Sequence, residues 1–381
     1  MQAFDDPIYV TRPSLPPLAD FVSGLQQIWD SRWLTNDGPL VRQLEDRLAA
    51  AQGVAGALAF CNGTLALQIG LQALNLSGSV ITTPFTFVAT SHALFWNKLQ
   101  PIFSDIDPTN FNLDPARIEE KITPWTTAIL AVHVFGEPCD HEALADIASR
   151  HNLKLIYDAA HAFGVRTRGQ SIAQLGDMSM FSFHATKVFH TFEGGMLAFS
   201  DPALQRRLGH LRNFGFESEV EVVMPGTNAK MNEVQALMGL LMLDRMDSMI
   251  GSQACIAQRY RQCLQDIPGI VCSLPAPGTE GNHGYFSIRV TGDFGCSRDD
   301  LYESLKKFNV FTRRYFYPLV CDHSCYRAVT VHDPLPVARR VTTEVLALPM
   351  YPELSLDDVQ RICEIIRHIH DGKTDNGKRD G

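Results

Sequence analysis

The 381-residue chain is 45% hydrophobic and 20% charged, an ordinary globular profile that excludes a disordered chain, a coiled coil and a collagen-like fibre. Its formal net charge of −9 argues against a nucleic-acid partner, which needs a basic face, yet leaves room for an anionic small molecule held by a few local cations. No apolar run approaches the ~20 residues that span a bilayer, so no membrane partner is expected, and at roughly 100–200 residues per domain the length suggests two domains.

The opening residues Met1–Pro7 carry neither the basic nor the apolar region of a secretory leader. A Pro-rich start is followed by a helix near residues 18–30, then by the irregular stretch Trp33–Pro39. From about residue 40 to 250 short apolar runs alternate with helical patterns. The predicted strands are Val80–Thr83, Pro101–Asp105, Ala128–His133, Leu153–Asp158, Met178–Phe183 and Met196–Phe199. They are too short for helices and apolar on both faces, as strands buried between helical layers are. Helices fit between them at Thr64–Leu74 and Asp140–His151, the second opening on an Asp cap. The alternation implies βαβ units and a mainly parallel sheet.

Asn232–Met249 reads as one long helix, and a second covers residues 252–265. A Gly/Pro-rich loop over residues 268–283 leads into a smaller α+β unit. Its expected elements are strand Tyr285–Val290, helix Arg298–Phe308, strand Val310–Tyr315 and a helix near Ser355–His370. Residues 1–250 are thus assigned to an N-terminal segment and a large α/β domain, 251–370 to a small domain, and 371–381 to a disordered tail. Nine scattered cysteines make an odd number where a secreted disulfide framework is usually even and dense, so a reducing, cytoplasmic setting is expected. Cys321 and Cys325 have no second Cys/His pair at finger spacing, so no metal is expected.

An open parallel sheet binds ligands beyond the carboxyl ends of its strands. Asp158 ends one apolar strand, where a carboxylate needs a partner. Lys187 lies five residues past another, in aromatic and hydroxyl-rich surroundings that would lower its pKa and make it a usable nucleophile and base. Asn62-Gly63-Thr64 opens a helix whose N–H groups can hold an anion. Singly these residues read equally well as a helix cap, a solvent-reaching lysine and a common turn. Their order, an anion turn, then a strand-end Asp, then a lone Lys, fits pyridoxal phosphate (PLP).

The chain resembles the DegT-type sugar-nucleotide aminotransferases, within the fold type I PLP enzymes. The resemblance runs from about residue 10 to 370 and rests on Trp33–Pro39, Asn62–Leu67, Asp158–Ala162, Ser182–Lys187, Glu193–Gly195, Asn228–Glu233 and Leu348–Pro352. It implies a large domain around a mainly parallel seven-stranded sheet plus the small C-terminal domain. Lys187 would bond covalently to the cofactor, and Asp158 would keep its ring nitrogen protonated. Gly63, Thr64 and Ser182 would bind its phosphate, Phe87 would stack on its ring, and Asn228 would reach it from the partner of a homodimer. His161 stands where the family more often has Gln, with an imidazole N–H able to reach the ring oxygen. The bland reading of His161 is a helix-start histidine bonded to a backbone carbonyl.

Dehydratase relatives carry His at the position of Lys187, so the resemblance implies transamination. The stretches around Asp158, Lys187 and Arg313–Pro318 look most like viosamine-type enzymes, which aminate C4 of dTDP-4-dehydro-6-deoxy-D-glucose. L-Glutamate is the expected donor and pyridoxamine phosphate the half-reaction form. A 3-keto-sugar aminotransferase and a non-catalytic regulator remain as alternatives. Lys230, Arg313 and Arg314 are candidate cations for the sugar nucleotide's diphosphate, each equally readable as a solvated surface charge. Tyr315 and Tyr317 are candidates to pack on its base. Strand alternation would set Arg314 on the face opposite both tyrosines, so the two assignments agree only if the strand bends.

Overall fold

The computed structural model describes residues 1–327 and 334–377. At its centre is a seven-stranded sheet built from β1 (Gly56–Phe60), β2 (Ser79–Thr82), β3 (Gln100–Phe103), β4 (Thr126–Val132), β5 (Lys154–Asp158), β6 (Met178–Ser182) and β7 (Gly195–Phe199). The spatial order is β3-β2-β4-β5-β6-β7-β1. Only β7 runs against its neighbours; the pairings from β3 through β6 are all parallel. The expected mainly parallel sheet is therefore present. Strand β1 is the one the apolar runs do not reveal. Its Gly-Ala-Leu-Ala-Phe has no β-branched residue, and only its pairing with β7 makes it a strand.

Alternation along the strands feeds two cores. Leu58 and Phe60 of β1, Ile156 of β5 and Leu197 and Phe199 of β7 point to one face. There they meet α3 (Gly63–Ala73), α4 (Val88–Trp96) and α6 (Pro202–Arg212). Ala57, Ala59, Leu155, Tyr157, Met196 and Ala198 point to the other. That face is covered by α2 (Pro39–Gln52), α5 (His141–Arg150) and α7 (Glu233–Leu243). The Asp140 side chain accepts from Ala143 N at 3.1 Å and so caps α5 as the sequence predicts. Before these, α1 (Leu18–Ser31) packs on α7.

The predicted Asn232–Met249 helix is broken. Helix α7 ends at Leu243, and a new helix, α8, runs Met246–Leu264. Apolar spacing continues across the break, so periodicity alone does not reveal it. Helix α8 also crosses the expected boundary at residue 250. Met246 and Met249 belong to the large core, whereas Ile256, Ala257, Tyr260 and Leu264 belong to a separate one. That second core lies on an antiparallel sheet of β8 (Ile270–Cys272), β9 (Phe286–Val290) and β10 (Val345–Leu348), with β9 central. Helices α9 (Arg298–Lys306) and α11 (Leu356–Gly377) complete it, and α10 (Pro336–Glu344) leads into β10. The N-terminus belongs here as well. Phe4 is buried in this core, and Ile8–Tyr9 pairs in parallel with Val310–Phe311.

Two further expectations change. The strand predicted over Val310–Tyr315 ends at Phe311, and the chain turns beyond it. Asp371–Gly377, expected in a disordered tail, extend α11; residues 378–381 lie outside the described residues. No helix among the described residues is long and apolar enough to cross a membrane.

Candidate active site

The carboxyl ends of β4, β5 and β6 line a cavity that opens to solvent. Asn62, Gly63, Thr64, Phe87, Asp158, His161, Ser182 and Lys187 all line it. Residues spread over 126 positions of sequence thus converge, because the parallel strands place their ends at one edge of the sheet.

The anion turn is built by close approach. Asn62 caps α3, its side chain accepting from Leu65 N at 2.8 Å. Gly63 and Thr64 then lead the helix, where N–H groups lack intrahelical acceptors. Gly195 at the start of β7 faces them. A Cβ there would lie 2.6 Å from Gly63 Cα, so only glycine lets strand and turn come this close. On the other side, a Cβ on Gly63 would meet Ser182 Cβ at 3.1 Å, which puts the Ser182 hydroxyl at the edge of the same turn.

Asp158, only 4% exposed, is the last residue of β5. Thr90 of α4 donates to its Oδ2 at 2.7 Å, and Ala160 N to its Oδ1 at 3.1 Å. Burial raises its pKa, against the pull of these two donors and the Lys187 charge. A carboxylate so desolvated favours a cationic N–H partner. The hydroxyl of Thr86, in the turn just before α4, lies 2.9 Å from that of Thr90. Thr90 therefore fixes the carboxylate. Thr90→Val keeps the shape but removes a hydrogen bond to a charged group, worth about 1.5–3 kcal/mol. Turnover is expected to fall roughly tenfold or more, with the acidic limb of the kcat pH profile moving up because the carboxylate loses stabilisation. An unchanged profile would show that Thr90 only packs.

Lys187 Nζ donates to the Tyr285 hydroxyl at 2.9 Å and lies 5.4 Å from that ring's centre. His161 accepts from Phe135 N at its Nδ1, 3.1 Å away. Burial, then the Lys187 charge, holds its pKa well below the usual range. The ring is therefore neutral and carries its proton on Nε2, where it is a donor. The bond that orients it comes from a backbone N–H rather than running to the backbone carbonyl of the bland reading. Tyr285, at 4.6 Å between ring centres, and Phe316, at 5.9 Å, hold the imidazole in place. Phe87 caps the start of α4 and is 60% exposed, its ring without an aromatic partner among the described residues, at the cavity wall.

The other predicted residues lie elsewhere. Asn228 is exposed and bridges to Asn213 through the backbone. Lys230 donates to Asn213 Oδ1 at 2.7 Å and sits 4.8 Å from the Phe214 ring centre. Arg314 is committed to Asp299 at 3.0 Å and lies over Tyr302. Arg313 is exposed, and Tyr317 is 46% exposed against Arg298 and Arg314. The turn after Phe311 is the bend that strand alternation required, and it brings Tyr315 and Phe316, not the two arginines, to the cavity. Thr90 and Tyr285 went unremarked in the sequence. Neither residue type carries a signal of its own at these positions.

The sequence profile of the DegT/DnrJ/EryC1/StrS aminotransferase family matches residues 19–367. A dTDP-4-amino-4,6-dideoxy-D-glucose transaminase of Shigella dysenteriae is 47% identical over 96% of this chain and 100% of its own length. The chain belongs to the DegT/DnrJ/EryC1/StrS aminotransferase family. An Escherichia coli transaminase of the same name is 42% identical over 95% of this chain and 98% of its own. The structure of DesI in the presence of its TDP-sugar product superposes with a TM-score of 0.94 at 39% identity, over 100% of this chain and 97% of that one.

As a DegT-family member the protein is a PLP-dependent aminotransferase. Its residues fit that cofactor. The glycine-lined turn could take a phosphate, the desolvated Asp158 a protonated ring nitrogen, and the neutral His161 could offer a donor, while Lys187 is the only lysine among the described residues that line the cavity.

Proposed function

We propose that this enzyme moves an amino group from L-glutamate to C4 of dTDP-4-dehydro-6-deoxy-D-glucose, giving dTDP-4-amino-4,6-dideoxy-D-glucose. The observation that carries the amino transfer is Asp158 and Lys187 facing one cavity beside a glycine-lined anion turn. The full-length similarity to two transaminases named for that product supports the sugar and the position.

The chain's own residues divide the work. The Gly63 and Thr64 N–H groups and the Ser182 hydroxyl hold the cofactor phosphate. Asp158 keeps the ring nitrogen protonated, His161 Nε2–H donates to the ring oxygen, and Phe87 covers a ring face. Bound PLP supplies an electron sink for the bond broken at the donor's Cα. Lys187 anchors the cofactor through Nζ. The same Nζ would be the base that takes the proton from the donor's Cα and the acid that returns it. The second half-reaction runs these proton movements in reverse on the keto sugar.

The test offers the pyridoxamine-phosphate form two sugar nucleotides, one with a keto group at C4 and one at C3, and follows return of the PLP absorbance. The 4-keto sugar is expected to react at least tenfold faster in kcat/KM. Preference for the 3-keto sugar would replace the regiochemistry and keep the amino transfer.

The working unit in this reading is a cytoplasmic homodimer with shared sites. The exposed apolar residues support it. Leu18, Val22 and Trp29 on α1, and Phe214, Phe216, Val220 and Val222 in and beside the hairpin of Phe216–Ser218 and Glu221–Val222 that follows α6, are all open to solvent in one chain, Val220 at 95%. The hairpin adjoins Asn228 and Lys230, which would enter the partner's cavity. Asn228→Ala is expected to be strongly impaired. Mixed with inactive Lys187→Ala and refolded together, it should regain activity, since one site of each mixed dimer is then intact. No recovery would mean that each chain completes its own site.

A further inference from the structure

A second cavity, open to solvent, lies across Tyr285 from the catalytic one, and Tyr285 lines both. One wall is Asn110, Phe111 and Val134–Glu137; the facing wall is the loop from Ser273 to His283, with Arg261 of α8 between them. Its charged lining residues are Glu137 and Arg261. His283 also lines it, and burial, then the Arg261 charge, lowers its pKa and favours the neutral ring.

The two charges share the cavity without pairing. Arg261 Nε donates to the Ser273 carbonyl at 3.3 Å, and the guanidinium lies 5.7 Å from the Phe286 ring centre. Among the described residues its terminal nitrogens bond to no carboxylate. Glu137 Oε1 accepts from Ala276 N at 2.6 Å, which leaves Oε2 open. Burial raises the Glu137 pKa and lowers that of Arg261. The two charges attract each other across the cavity, yet among the described residues neither has a counter-ion within hydrogen-bond contact. A guanidinium with both terminal nitrogens available is shaped for a carboxylate, and a half-buried carboxylate oxygen for an ammonium.

We propose that this cavity binds a small zwitterion of the α-amino-acid class, its carboxylate on Arg261 and its ammonium on Glu137, at a site separate from the catalytic one. The occupant sits one aromatic ring from Lys187, since Tyr285 is the shared wall.

Calorimetric titration tests this on the full protein carrying pyridoxamine phosphate, in which an amino acid meets no aldehyde. L-Glutamate is expected to bind saturably, and Arg261→Gln and Glu137→Gln are each expected to weaken that binding at least tenfold. Glutarate, which lacks the ammonium, should bind more weakly, remain sensitive to Arg261→Gln and ignore Glu137→Gln. This last comparison keeps the test sound if Arg261→Gln folds poorly. Absence of saturable binding, or equal affinity in wild type and both variants, would overturn the proposal. The readout needs no turnover, so its failure leaves the amino-transfer reading intact.

Discussion

Lys187→Ala is expected to lower turnover by about 10⁴-fold or more while the protein still folds and still binds cofactor noncovalently. The size follows from two roles on one atom. Positioned proton transfer alone contributes roughly 10²–10⁴-fold, and in the proposed function Lys187 Nζ also anchors the cofactor. Of the residues lining the cavity it is the only lysine. The nearby imidazole of His161 is held neutral by burial, with its Nδ1 already committed to Phe135 N. It is therefore poorly placed to substitute as a base. The phosphate turn, Ser182 and Asp158 remain, so the variant should retain cofactor through gel filtration but release it on denaturation after borohydride treatment. Wild type should keep the cofactor covalently after the same treatment. Substantial residual turnover in the alanine variant would remove Lys187 from the chemistry.

Asp158→Asn is expected to lower turnover by roughly two to three orders of magnitude, the scale on which a preorganised electrostatic group acts. Its effect on stability should have the opposite sign in the cofactor-free protein. Burial raises the Asp158 pKa in the folded chain above its unfolded value. The stability associated with such a group is fully present below the unfolded pKa and is lost as pH rises through the folded pKa. Wherever the carboxylate is ionised its charge is thus a cost that the empty fold carries, and Asn removes it at nearly constant shape. The Tm of the cofactor-free variant at pH 7 should not fall below wild type, whereas the gain in Tm on adding PLP should shrink. A variant that lost stability and kept activity would make Asp158 a structural residue.

Much of the site is legible in the sequence because its chemistry sits at element boundaries. Asp158 closes an apolar run, Lys187 follows another, and Asn62-Gly63-Thr64 opens a helix. Each boundary is set by local patterning, and the parallel sheet implied by the alternation brings such boundaries to one edge. The partners of those residues were not legible. Thr90 meets Asp158 across 68 positions, and Tyr285 meets Lys187 across 98. Neither spacing has a period, and an ordinary Thr or Tyr signals nothing until the sheet and the second core are assembled.

The sequence by itself determined the strand and helix alternation, the family and the candidate residues at the ends of the strands, since motif order and apolar periodicity are properties of neighbouring residues. Only the tertiary structure decided the rest. It made Gly56–Phe60 a strand by pairing it with β7, and it let α8 serve two cores. It carried Phe4 into the second core. It turned the chain after Phe311, so that Tyr315 and Phe316 face the cavity while Arg314 pairs with Asp299. These outcomes depend on which surfaces meet, and burial between distant segments is a sum over contacts that no local window contains.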